Sequence, residues 1–182
     1  MNKELIETFE SKLQQELLRY CTTAGYLDGE LLNSPDFEEK WQGGMGEAYV
    51  AEAVKEFNAY PEVSLAWAAY LGMAVAVSWD RSMVRFLQDR YEDFHGPKGY
   101  DDMDEHITRD ILHLPLASKE AKDLAGLLSG CAQMTLSLLR HEGVEAGSIE
   151  AYHIFIRCCK VFFLTGAAIE LKVLGYKFTR VN

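Results

Sequence analysis

The 182-residue chain is 48% hydrophobic, enough to bury one sizeable core and too little for two comfortable domains, so residues 1–182 read as a single domain. Its 18 Lys and Arg stand against 28 Asp and Glu, a net charge of −10 without the basic surplus that binding nucleic acid or an anionic membrane surface requires. Leu and Ala together number 40 against 24 Val, Ile and Thr, and no segment alternates convincingly, which points to an all-α fold.

From the start of the chain, Met1 to Gln15 mixes charged and apolar side chains with no uninterrupted apolar stretch. Neither a secretory signal nor a lipoprotein leader is expected, and the chain reads as cytosolic. Ile6, Phe9, Leu13, Leu17 and Tyr20 recur every three or four residues, which predicts a helix over Lys3 to Thr23 closed by Gly25. Ser34 followed by Pro35, Asp36 and Glu38 predicts a capped start, and Gly43-Gly44 a stop. Tyr49, Ala53 and Phe57 then form the stripe of a further helix up to Ala59.

Pro61-Glu62 opens the next helix, whose pattern extends toward Phe94, about 50 Å at 1.5 Å per residue. That is long for a compact domain, so a bend or break is expected near Gly72 or around Ser78-Trp79-Asp80. Its charge-free run, Ser64 to Trp79, is sixteen residues and falls short of the roughly 20 of a membrane span. After Gly96-Pro97-Lys98-Gly99, Asp101 or Asp102 is placed to cap a helix reaching Leu114. Ser118 opens another with the stripe Leu124, Leu127, Leu128, Cys131, Met134 and Leu138, and Ser148 leads into a last helix, Ile149 to about Leu174. None of the four prolines interrupts a periodic stretch. The expected fold is a helical bundle of five to seven helices with short connections.

Cys21, Cys131, Cys158 and Cys159 lie among Leu, Met and Phe, and no pair has a C-x-x-C spacing, so reduced core thiols are expected. Glu92-x-x-His95 and Glu150-x-x-His153 have the spacing used in di-iron carboxylate bundles. Both lie in terminal turns, where Glu and His also complement the helix dipole. Asp101-Asp102 with Glu105 resembles the DDxxE spacing with which helical isoprenoid synthases hold magnesium pyrophosphate, but no second metal motif follows. Asp102-x-x-Glu105 with Glu120-x-x-Asp123 more loosely resembles the paired acidic motifs of all-α nucleotide pyrophosphohydrolases.

Along the same predicted helix, Asp102, His106, Asp110 and His113 fall at i, i+4, i+8 and i+11, on one strip beside the apolar stripe Met103, Ile107, Ile111 and Leu114. These four are the candidate metal ligands, of a type suited to Zn²⁺ or Fe, with surface Asp–His pairing as the alternative. No nucleophile elbow, P-loop or triad spacing occurs. The leading expectation is therefore a non-enzymatic cytosolic module that binds a protein partner or itself, without cofactor. The competing one is a divalent-metal-dependent hydrolase or metal-binding protein built on Asp101 to His113. A third is a small-ligand pocket near the break at Trp79.

Overall fold

Five helices start on a short polar side chain that takes up one of the orphan amides of the first turn. Asn2 accepts from the Leu5 amide at 3.1 Å, Ser34 from Asp36, Ser82 from Arg85, Ser118 from Ala121 and Ser148 from Ala151. The computed structural model describes residues 2–177. In chain order its helices are α1 (Lys3–Thr23), α2 (Pro35–Lys40), α3 (Gly46–Phe57), α4 (Pro61–Arg81), α5 (Met83–Gln88), α6 (Met103–His106), α7 (Lys119–His141) and α8 (Ile149–Val173). The only β-type pairing among the described residues is an isolated bridge between Gly96 and Gly99. The fold is all-α, as the composition leads one to expect.

Two expected boundaries shift, each for a local reason. Gly43-Gly44 does not separate two helices: the chain passes from α2 into α3 through a wide π turn, Trp41–Met45, kinked at Gly44, whose φ of 122° suits glycine. The long fourth helix does not break at Gly72 or at Trp79. It ends at Arg81, because Ser82 is extended (φ −162°, ψ 117°) and its hydroxyl starts α5 instead.

Pairings along the long helices define the bundle. Arg157 and Lys160 of α8 reach Glu10 near the start of α1, and Lys172 reaches the Gly25 carbonyl just past its end, so α1 and α8 run parallel. Cys21 meets Cys131, and Lys12 meets Glu142, so α7 runs antiparallel to α1. Pro61 and Ala151 line one hollow at the starts of α4 and α8, whereas Asp80 meets Tyr176 where both end. Three long helices are therefore parallel and the fourth opposes them, which obliges segment 24–60 to carry the chain back along the bundle between α1 and α4, whereas segment 82–118 starts and ends at the same end of it. The candidate sites lie on these two connecting segments.

At the centre, α4 and α8 approach closely through Gly72 and Gly166. A Cβ on Gly72 would overlap the Phe163 carbonyl, and one on Gly166 would overlap that of Ala69. By length and composition α4 passes as a membrane span, even though its charge-free run is short, yet 72% of its most apolar window is buried against its neighbours. Tyr49, Phe155, Phe162, Phe163, Leu65 and Leu71 are fully enclosed in one continuous core.

Candidate functional site

The four candidate metal ligands do not share a surface strip. The helix that starts at Met103 widens into a π turn over Ile107–Ile111 and stops there, so the α-helical register assumed for i+8 and i+11 is lost. Asp102 lies before the helix. Its two carboxylate oxygens each accept from the Lys98 amide at 3.1 Å, and it packs under Gly96, where a Cβ would collide with it. His106 and Asp110 do meet, Nδ1 to Oδ2 at 2.9 Å, but Arg109 also bonds both oxygens of Asp110. Arg109 first and His106 second hold that carboxyl below its ordinary range. His113, at φ 57°, lies past the helix, with Nε2 3.2 Å from the Arg81 guanidinium. Among the described residues no three His, Cys, Asp or Glu side chains gather where they could hold a metal ion.

Glu92 and His95 are linked through the backbone, the His95 amide donating to the Glu92 carbonyl at 3.3 Å. Both belong to a single 3₁₀ turn, Tyr91–Phe94, and its flank. His95 turns inward, with Nε2 3.4 Å from Glu52 of α3 but in no hydrogen-bond geometry, while the Tyr91 hydroxyl donates to the other Glu52 oxygen at 3.1 Å. Tyr91 packs edge-on to both His95 and Tyr49. Burial, reinforced by Glu52, pushes the Tyr91 phenol well up, so it stays protonated and remains a donor. Tyr49 donates to the Ser64 carbonyl and its phenol too is raised by burial. This Glu52–Tyr91–His95 cluster went unrecognised in the sequence because Glu52 lies 39 residues before Tyr91.

Beside it lies a polar cleft of about 480 Å³ between the α2–π turn segment and the α5–Phe94 segment. Asp36, Glu39, Asp89 and Glu92 contribute carboxylates to its lining; Lys40 and Arg90 contribute cations. The Lys40 ammonium donates to the Phe86 and Leu87 carbonyls and stands 5.1 Å from the centre of the Phe86 ring. Desolvation lowers its pKa, with Asp89 and Asp93 acting in the opposite direction. Its charge is thus engaged by backbone, whereas one Asp89 oxygen is buried without a hydrogen-bond partner. Of the α5 side chains, Leu87 lines the cleft and is 69% exposed, and Val84, one turn earlier on the same helix, is 66% exposed.

A small-ligand pocket was expected at a break near Trp79. The break is three residues later, and the cleft forms beyond it, with Trp79 behind its wall, bonded through its indole to Asp36. A set of carboxylates edged by exposed aliphatic side chains can take an ammonium or guanidinium group and the hydrocarbon next to it. No protein-family model matches the chain, and no curated protein or solved structure shows significant similarity to it.

Proposed function

We propose that the protein is a non-enzymatic, cytosolic helical module, and that the cleft beside α5 holds a basic, amphipathic segment of a partner protein. One observation carries this reading: the exposed Leu87 lines a cleft to which four carboxylates contribute, with the exposed Val84 one helical turn before it on α5. Large aliphatic side chains left in water lose the stabilisation of burial, roughly 2 kcal/mol for a full side chain, and recover it when covered. The carboxylates supply selection by charge: they favour Lys and Arg on the partner and disfavour phosphate backbones. One of the four, Asp36, is held in place by the fold through the Trp79 indole, and one oxygen of Asp89 is buried without a hydrogen-bond partner.

The test is calorimetric titration with a synthetic helical peptide of alternating Leu and Lys faces, against the unaltered protein and against Leu87→Asp. Binding that weakens at least about tenfold in Leu87→Asp, and weakens again as salt rises from 0.1 to 0.5 M, is the expected result. Equal binding by both proteins, or none by either, overturns the reading. Sedimentation of the protein alone separates out the remaining alternative: a Leu87-dependent dimer would make the occupant a second copy of the chain.

A further inference from the structure

Cys21 on α1 and Cys131 on α7 bring their sulfur atoms to 3.9 Å, although 110 residues separate them in the chain. Both are buried, at 0% and 1% exposure. A surface depression of about 770 Å³ opens between the same stretches of α1 and α7, lined by neighbours of the two cysteines and not by the cysteines themselves. Its floor includes Tyr20 and Ala24 on one side and Leu127 and Met134 on the other, which are residues adjacent to, or one helical turn from, the two cysteines. The helices meet closely here, since the Tyr20 hydroxyl packs on Gly130, a position where a Cβ would collide with it. Cys158 and Cys159 are also buried, but on α8 and next to each other, pointing about 100° apart.

We propose that Cys21 and Cys131 are an oxidant-responsive thiol pair that closes into a disulfide linking α1 to α7 when hydrogen peroxide reaches them from the side of this depression. A disulfide requires the two sulfurs to approach to about 2.0 Å, an approach that a small change of side-chain torsion and helix separation supplies. Either sulfur can donate across this contact; with Cys131 as the donor the Cys21 thiolate is favoured, which makes Cys21 the attacking sulfur. That sulfur attacks one peroxide oxygen and the O–O bond breaks. The thiol proton leaves with the other oxygen as water, and Cys21 is left as a sulfenic acid. The Cys131 sulfur then attacks the Cys21 sulfur and displaces the sulfenic oxygen, which takes the Cys131 proton and departs as a second water. Two thiols and one peroxide give one disulfide and two waters, with two electrons passing from the sulfurs to the peroxide oxygens.

The experiment treats the native, full-length protein with hydrogen peroxide, then alkylates the remaining thiols under denaturing conditions and maps the products by mass spectrometry. The expected result is loss of two of the four alkylatable thiols, a mass decrease of about 2 Da before alkylation, and a linked Cys21–Cys131 peptide that dithiothreitol reverses. In Cys131→Ser, where the second step is blocked, a sulfenic-acid reagent such as dimedone should label Cys21. Four thiols still alkylatable after treatment, a link through Cys158 or Cys159, or a link only between two chains each overturns the proposal. Labelling of the serine variant anywhere other than Cys21 overturns the assignment of the attacking sulfur.

Discussion

The Trp79 indole N–H donates to the Asp36 carboxylate at 2.9 Å, tying the last turn of α4 to the first turn of α2. The indole also packs against Phe37 at 5.4 Å and Tyr176 at 5.3 Å, so one side chain fixes a cleft wall, the α2 start and the end of the described chain against each other. Because Asp36 lines the cleft, the position of one of its carboxylates is set from the bundle interior and not by the loop that carries it.

Replacing Trp79 by Phe keeps most of the packing and removes the donor. A hydrogen bond to a charged, half-exposed partner is worth about 1.5 kcal/mol, and the urea midpoint of Trp79→Phe should fall accordingly. Asp36→Asn, which still offers a carbonyl acceptor, should lose less than half as much. An unchanged midpoint in Trp79→Phe would show that the bond contributes nothing to the wall.

Gly166 and Gly126 are both helical glycines in opposite environments. Gly166 touches the α4 backbone at Ala69, whereas a Cβ at Gly126 meets nothing within 4 Å. Gly166→Ala should force α4 and α8 apart and lower stability by about 3 kcal/mol or more. Gly126→Ala should raise it by about 0.5–1 kcal/mol through helix propensity alone. Thermal unfolding of the two variants checks both, and similar shifts of one sign would contradict the close α4–α8 contact.

Glu170 is a buried carboxyl on α8 whose pKa rises to about 7, through burial first and the nearby Asp80 second. The Asp80 carboxylate in turn accepts from the Tyr176 hydroxyl at 2.8 Å. With its folded pKa above the ordinary 4.5, Glu170 binds a proton more tightly in the folded state. Its contribution is fully favourable below about pH 4.5, fades as pH rises to about 7 and is absent above. Glu170→Gln should therefore be more stable than the parent at pH 8, by on the order of 2 kcal/mol, with the advantage shrinking toward pH 5. Denaturant midpoints across that range test this, and parallel curves for the two proteins would refute it.

Asp102 holds the Gly96–Gly99 turn through the Lys98 amide. Asp102→Ala should cost about 1–2 kcal/mol by leaving that amide without its acceptor, and should leave the metal content of the purified protein at the parent's level. Elemental analysis alongside thermal melts separates the two roles: stoichiometric metal present in the parent and lost in Asp102→Ala would restore the metal site.

The contrast between Asp102 and Ser118 shows how much could be read from the sequence. Ser118 caps α7 through the Ala121 amide, three residues on, as the pattern predicts. Asp101 or Asp102 is expected to do the same for the next helix, but Asp102 reaches back four residues to Lys98, because the turn before it folds onto Gly96. The strip through His106, Asp110 and His113 assumed an unbroken α-helix. Nothing in Ile107-Thr108-Arg109-Asp110-Ile111 announces the π turn that undoes it. The Glu52–His95 contact and the Cys21–Cys131 contact left no signal, since each joins connecting segments or helices that only packing brings together.

By itself, then, the sequence determined the all-helical class, most helix starts, the enclosed character of α4 and the thiol-rich interior. Those properties depend on caps, prolines and apolar periodicity, forces that act within about four residues. Tertiary structure alone decided that α1, α4 and α8 run parallel, that acids from α2 and from the segment after α5 line one cleft, and that two distant thiols touch. The physical reason lies in the close contact of α4 with α8 at Gly72 and Gly166, which fixes the centre of the bundle and leaves the connecting segments to pack on its outside. The neighbours of each charged or reactive side chain follow from that packing, over sequence distances at which local periodicity carries no information.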